Sequence, residues 1–185
     1  MQYLSAAIGG KAYMGVGRNL AYRKSLFFSN KGFAKHNHIL SGDDDLFINE
    51  NANSKNTVIE TDHEAITYSL PKKTFSQWCA QKKRHMSTSK FYKPAHKFSL
   101  AIQNVNALIF YSLLIALMIL RFEWRILLSL YLLSLLLRLP IIYKVSNKLN
   151  EKDLLWSFPF LDIINSFLQP VFFTANLITK QKKWK

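Results

Sequence analysis

The chain has 185 residues, of which 49% are hydrophobic, and its formal net charge is +14 at pH 7. This length allows one modest domain, or part of a domain together with a membrane anchor. A single cysteine excludes an internal disulfide and a multi-cysteine metal site. The basic excess predicts attraction to phosphates, nucleic acid or an anionic membrane surface, and such an excess is typical of the cytoplasmic side of membrane proteins.

The N-terminal part of the chain is punctuated by glycines. Residues 1–26 contain no apolar core of signal-peptide length, so we expect the soluble part of the chain to stay in the cytoplasm. Gly42 is then followed by three aspartates, and we predict a helix from Asp43 to about Ala52. Acidic side chains in a first turn favour a helix because they face the positive end of its dipole.

The middle of the chain alternates between strand-like and helical patterns. Residues 57–69 are rich in β-branched side chains and predict one or two strands, which Pro71 ends. Thr74 is a predicted N-cap for a helix that runs through Trp78 toward Arg84.

The remainder of the chain is largely apolar. Residues 100–120 carry no charge and are long enough to span a bilayer, and residues 126–143 form a second predicted span. Arg138 is expected to snorkel to the membrane boundary. Residues 154–178 are a third apolar segment. It is either a spanning helix or an interfacial or re-entrant one; the second is favoured, because it keeps the lysines of residues 180–185 in the cytoplasm.

Two short motifs carry groups suited to sugar transfer from a phosphorylated donor. The acceptor hydroxyl needs a base, for which the carboxylates of Asp43, Asp44 and Asp45 are candidates. The departing diphosphate needs cations and hydrogen-bond donors, which Gln81 and Arg84 provide from one face of a helix. The alternative for each motif is a solvated helix end or face without function.

In this order, the motifs resemble those of the processive family 2 glycosyltransferases, the group of cellulose, chitin and hyaluronan synthases, and more closely its smaller bacterial inner-membrane members. Gly-Asp-Asp at residues 42–44 resembles the motif that carries the catalytic base. Gln-Lys-Lys-Arg-His at residues 81–85 resembles the Gln-x-x-Arg-Trp motif that holds the donor diphosphate. Residues 14–23 resemble the glycine-containing segment that lines the acceptor site.

The resemblance implies an α/β fold with transmembrane helices. Residues 1–98 would be the C-terminal part of a GT-A type domain, and residues 99–185 a membrane region with two or three helices. It also implies inverting transfer from a nucleotide-sugar donor to a hydroxyl of a glycan or lipid acceptor. The chain would lie in the bacterial inner membrane with residues 1–98 in the cytoplasm, and nucleic acid is not an expected partner.

The resemblance also assigns roles to individual residues. The Gly-Asp-Asp register makes Asp44 the base, whereas a match to the Asp-x-Asp-Leu pattern of related transferases favours Asp43. Gln81 and Arg84 would bind the donor diphosphate. The acceptor site would contain Gly15, Gly17, Arg18, Asn19 and His85. His85 replaces the usual tryptophan, which alters an aromatic platform and introduces a titratable group.

The family's nucleotide-binding half, with its Asp-x-Asp metal motif, is expected before Met1, because no acidic residue precedes Asp43. We therefore expect a fragment that is inactive alone, with a divalent metal (Mg²⁺ or Mn²⁺) supplied by the missing half and no metal ligands in this chain. The alternative is a non-catalytic, truncated membrane protein whose basic cytoplasmic face binds anionic lipid or a partner chain. Convergence of Asp44 and Arg84 on one cleft would favour the enzyme.

Overall fold

The computed structural model of the chain describes residues 2–39 and 41–179. These residues form seven α-helices and three single-turn 3-10 helices, and the described ranges contain no β-strand. The α-helices are α1 Gln2–Ile8, α2 Lys24–Ser29, α3 Asp43–Asn51, α4 Phe75–Ser87, α5 Pro94–Ile119, α6 Trp124–Lys148 and α7 Leu154–Ile178. The 3-10 helices are Gly17–Asn19, His63–Ala65 and Ser89–Phe91.

The helices divide between two compact units. The first, called the motif unit here, contains the described residues of Met1–Glu60, Ala65–Phe98 and Phe172–Lys185. The second, called the membrane unit, contains Thr61–Glu64 and Ser99–Val171. The first turns of α5 and the last turns of α7 therefore belong to the motif unit.

The core of the motif unit is built around α3. Leu46 and Phe47 are almost fully buried. The Phe47 ring packs against Tyr22 and Phe27 at centroid distances of 4.9 and 5.7 Å, and Phe33 closes the cluster at 5.0 Å from Phe27. These aromatic side chains bury large apolar areas, so they fix the position of α3 beneath the N-terminal segment.

The two helices predicted around the motifs are confirmed. α3 begins at Asp43, as its acidic first turn indicates, and α4 begins after Thr74. The Thr74 hydroxyl accepts a hydrogen bond from the backbone N–H of Gln77 at 3.3 Å, which satisfies one of the free donors of the first turn.

The strands predicted over residues 57–69 are not formed, and that prediction is wrong. The stretch is irregular apart from the turn at His63–Ala65, and Val58 is exposed. A strand needs a neighbouring strand for its backbone groups, and the described part of the chain offers none. The chain is all-helical where it is described, and the expected α/β fold is not seen there.

Three helices are long and apolar enough to cross a membrane: α5, α6 and α7. The predicted spans at 100–120 and 126–143 lie within α5 and α6, apart from residue 120. The third apolar segment forms one continuous helix, although Pro159 and Pro170 lie inside it. Most side chains of these helices are exposed, as expected for surfaces that face lipid. Such helices are characteristic of a membrane protein. The lysines of residues 180–185 lie outside the described residues.

Arg138 does not snorkel as predicted. Its guanidinium contacts the Asp162 carboxylate of α7 and lies 3.2 Å from the Tyr111 hydroxyl of α5, while its Nε donates to the Ser134 carbonyl at 3.0 Å. The Tyr111 hydroxyl also bonds to Asp162. A charged pair with these hydrogen bonds is stable away from water, so the membrane unit has a polar centre that joins its three long helices.

Candidate functional site

The candidate site begins at Gly42, directly before α3. Gly42 has a φ of +88° and is buried against Thr88, whose side chain would collide with any β-carbon at this position. Only glycine combines this backbone conformation with so close an approach. The Gly-Asp-Asp sequence therefore sets the direction in which α3 leaves the loop and presents its first carboxylates.

Asp44 is the carboxylate that contacts the predicted acceptor segment. Its Oδ2 accepts a hydrogen bond from the backbone N–H of Gly17 at 2.7 Å, and its Oδ1 accepts one from the N–H of Asp45 at 2.9 Å. A β-carbon on Gly17 would lie 3.0 Å from the same Oδ2, so the missing side chain admits the carboxylate. Asp43 is exposed at the start of the helix.

Asp45 is almost completely buried, with 3% of its surface exposed. Burial raises its pKa to about 7, with a further increase from the neighbouring Asp44 carboxylate, and hydrogen bonds from Tyr92 and Thr88 act in the opposite direction. The Thr88 hydroxyl donates to Oδ2 at 3.4 Å. Burial, followed by the charge of Asp45, raises the pKa of Tyr13 to about 12. Asp45 thus forms a polar core contact between α3 and the segment after α4.

Asn49 lies one turn after Asp45 and was not singled out from the sequence. Its side-chain amide donates to the Tyr13 carbonyl at 2.8 Å and lies 3.0 Å from the His96 ring, while its oxygen accepts from the backbone N–H of Lys93 at 2.8 Å. These bonds fasten α3 to the beginning of α5. The spacing of four between two polar residues flanking Leu46 and Phe47 was the available signal for a polar buried face.

The predicted diphosphate motif lies on α4. Gln81 and Arg84 are half-buried one turn apart, and His85 is exposed beside them. The pKa of His85 is lowered by desolvation and then by the Arg84 charge, while the Asp44 carboxylate raises it and Arg18 lowers it slightly. These four charged or titratable groups are therefore near enough to interact, and three separate sequence motifs share one region of the motif unit.

The rest of the predicted acceptor segment has other contacts. The Arg18 guanidinium bonds to the Ser69 hydroxyl, and the Asn19 amide donates to the Ala65 carbonyl at 3.0 Å. Gly15 packs against side chains of Leu20 and Ile48. Of the predicted acceptor residues, Gly17, Arg18 and His85 thus lie around Asp44, whereas Asn19 and Gly15 serve the local packing of the loop.

No group of three or more His, Cys, Asp or Glu side chains within residues 2–39 and 41–179 is arranged to hold a metal ion. The three consecutive aspartates do not form such a group, because Asp43 is exposed while Asp45 is buried toward Thr88 and Tyr92. The donor set among these residues does not fit a divalent cation.

In comparisons with known proteins, no family model matches this chain, and no curated protein or solved structure matches it.

Taken as chemistry, the site offers a carboxylate fixed by a backbone N–H group and surrounded by cations. The hydrogen bond from Gly17 orients the Asp44 carboxylate and leaves lone pairs on both oxygens. Arg18, Arg84 and His85 are electrostatic neighbours of one another or of Asp44. Such a set can accept a proton and can attract a phosphorylated ligand to the same place.

Proposed function

We propose that the chain is part of a membrane-bound family 2 glycosyltransferase with a GT-A type catalytic domain. It would act at the bacterial inner membrane, with residues 1–98 in the cytoplasm, on a nucleotide sugar and a glycan or lipid acceptor. The observation that carries the proposal is the hydrogen bond between Asp44 and the Gly17 N–H, which joins residues 27 apart in the chain. Two motifs that resemble the base and acceptor segments of that family are thereby in contact.

In the proposed reaction, Asp44 acts as the general base. The acceptor hydroxyl attacks the anomeric carbon from the face opposite the diphosphate, and Asp44 takes the hydroxyl proton as the new carbon–oxygen bond forms. The bond from the anomeric carbon to the diphosphate breaks in the same step, so the configuration inverts. The hydrogen bond from Gly17 fixes the carboxylate and reduces the reorganisation that attack requires.

Arg84 and Gln81 bind the departing diphosphate in this proposal. The planar guanidinium pairs with phosphate oxygens and keeps its charge at any working pH, and the Gln81 amide donates one turn away on α4. Developing negative charge on the leaving group strengthens both interactions. The described residues do not fit a divalent metal, so no step is assigned to one; Mg²⁺ or Mn²⁺ would belong to a nucleotide-binding half.

The test compares two neighbouring aspartates. Membranes that contain the chain, alone and together with the product of the DNA directly upstream of its first codon, are incubated with radiolabelled nucleotide sugars. We expect Asp44→Asn to lower transfer by at least about a hundredfold, the scale of general-base catalysis. Asp43→Asn, which changes the same charge at an exposed position, should retain most of the activity. Equal losses in both variants would contradict the assignment of the base.

Binding of the donor is tested separately from transfer. Uridine, guanosine and adenosine diphosphates are titrated into the detergent-solubilised chain by calorimetry. We expect Arg84→Lys to weaken binding of whichever diphosphate binds, because lysine loses the paired contact with two phosphate oxygens. Lys55→Gln, in an exposed loop, is the control for charge alone. If no diphosphate binds and transfer is absent from every preparation, the non-catalytic alternative replaces the proposal.

A further inference from the structure

The segment Tyr68–Phe75, called the 68–75 loop here, leads into α4 and is exposed along its whole length. Three of its side chains are large and apolar: Tyr68 is 78% exposed, Leu70 96% and Phe75 69%. A single exposed leucine is ordinary, but several large apolar groups within eight positions of an irregular segment mark a surface that contacts something else.

Cations lie among and beside these apolar groups. Lys72 and Lys73 are exposed within the loop between Leu70 and Phe75. The aromatic surface continues onto α4, where the Trp78 ring stacks on Phe75 at 5.6 Å, and the Lys82 ammonium lies 5.6 Å from the Trp78 ring centre. Aromatic and aliphatic groups bordered by lysines are the composition of segments that lie in the membrane interface.

The same surface adjoins the parts of the motif unit that belong to apolar helices. Phe172, in the last turns of α7, packs edge-on against Trp78 at 5.8 Å, and the Asn176 amide donates to the Lys83 carbonyl at 2.9 Å. The first turns of α5 belong to this unit as well. A bilayer that receives these apolar helices is therefore the surface nearest to the exposed loop.

We propose that the 68–75 loop docks on the anionic lipid surface of the membrane. Leu70 and Phe75 enter the boundary between headgroups and acyl chains, and Lys72, Lys73 and Lys82 contact headgroup phosphates. The opposite charges of the lysines and the lipid phosphates favour this partner over neutral apolar surfaces. The docking requires neither a sugar donor nor transfer, so it is independent of the function proposed above.

The experiment uses the full chain reconstituted into phosphatidylcholine vesicles with and without phosphatidylglycerol. Cys79 is the only cysteine, so a Cys79→Ser background permits one spin label at a chosen position. The label is attached at Leu70→Cys and, as a matched control, at Val58→Cys, which is equally exposed in the same unit. Collision rates with oxygen, which concentrates in lipid, and with a water-soluble nickel complex report the depth of each label.

We expect the label at position 70 to be reached by oxygen and protected from nickel in phosphatidylglycerol vesicles, while position 58 behaves as water-exposed. Lys72→Gln and Lys73→Gln should each lower the equilibrium constant for immersion about fivefold. Nickel access at position 70 equal to that at position 58 would overturn the proposal. Protection of position 70 from both oxygen and nickel would also overturn it, since a protein contact would then cover the loop.

Discussion

Gly42 and Thr88 lie in direct contact, so that the end of the α4 segment rests on the backbone from which α3 begins. This contact determines the distance between the two motifs, because α3 carries Asp44 and α4 carries Arg84. The Thr88 hydroxyl extends the contact by donating to the Asp45 carboxylate. The geometry of the candidate site therefore depends on a glycine and a threonine that take no part in the proposed chemistry.

Gly42→Ala should destabilise the motif unit by roughly 2–4 kcal/mol, because it adds left-handed backbone strain to a collision with Thr88. Thr88→Ser removes the methyl group that alanine would meet and keeps a hydroxyl for Asp45. The double variant should regain part of the loss, which thermal unfolding in detergent would measure. Gly9→Ala is the control, since its β-carbon would have ordinary 3.5 Å contacts. Equal effects at Gly9 and Gly42 would contradict the contact.

Asp45 should make the stability of the motif unit depend on pH. Its pKa is about 7 in the folded chain, above the ordinary value of 3.8, so the folded state binds the proton more tightly than the unfolded state. The stabilisation is complete below about pH 4 and is lost as the pH rises through 7. The difference corresponds to about 4 kcal/mol. Asn at position 45 resembles the protonated acid, so Asp45→Asn should flatten this part of the profile.

The measurement is the unfolding temperature of both proteins in detergent at intervals between pH 4 and pH 8. Asp43→Asn serves as the control, because Asp43 is exposed and changes the net charge equally. Parallel profiles for the original chain and Asp45→Asn would show that Asp45 is not the group responsible. A slope that disappears in Asp43→Asn as well would point to net charge rather than to the buried carboxyl.

Local sequence signals predicted the helices that carry the motifs. An acidic first turn and a threonine cap act within one helical turn, so the starts of α3 and α4 could be read from a few residues. Uncharged runs predicted α5 and α6 for the same reason. The strand prediction over residues 57–69 failed because β-branched side chains favour a strand only where a neighbouring strand exists.

Contacts between distant residues could not be predicted in this way. Thr88 and Asp45 are 43 residues apart, and Arg138 and Asp162 are 24 apart. No hydrophobic period connects such positions. The sequence therefore named Asp44 and Arg84 as candidates, but it assigned Asp45 the same possible role as Asp44 and Arg138 a position at the membrane boundary.

The pair of Arg138 and Asp162 should hold the membrane unit together. Asp162→Asn leaves the Arg138 charge without its counter-ion, and we expect a loss of roughly 3 kcal/mol, the scale for breaking a pair sheltered from water. Arg138→Met should cost a similar amount. The double variant should lose clearly less than the sum of the two, because it leaves no unpaired charge.

Unfolding in increasing concentrations of sodium dodecyl sulfate would supply the three free energies. Arg125→Met is the control, since Arg125 lies in the first turn of α6 beside Trp124. Additive losses in the double variant would contradict a pairing, and a loss in Arg125→Met as large as that in Arg138→Met would indicate a general effect of charge on α6.

The last turns of α7 should lie on the same side of the membrane as α4. Phe172 and Asn176 contact α4, which carries Lys82, Lys83 and Arg84 and therefore cannot lie within the hydrocarbon layer. If α5 and α6 each cross once, the start of α7 is also on that side. We therefore expect α7 to be interfacial or re-entrant, as the sequence favours.

Single cysteines in the Cys79→Ser background test this topology with a membrane-impermeant maleimide. Ile178→Cys reports the exposed end of α7, Lys55→Cys the motif unit, and Arg121→Cys the connection between α5 and α6. In sealed inside-out vesicles, positions 178 and 55 should react while position 121 is protected, and right-side-out vesicles should reverse the pattern. If position 178 instead follows position 121, α7 crosses the bilayer, and its contacts with α4 would have to be abandoned.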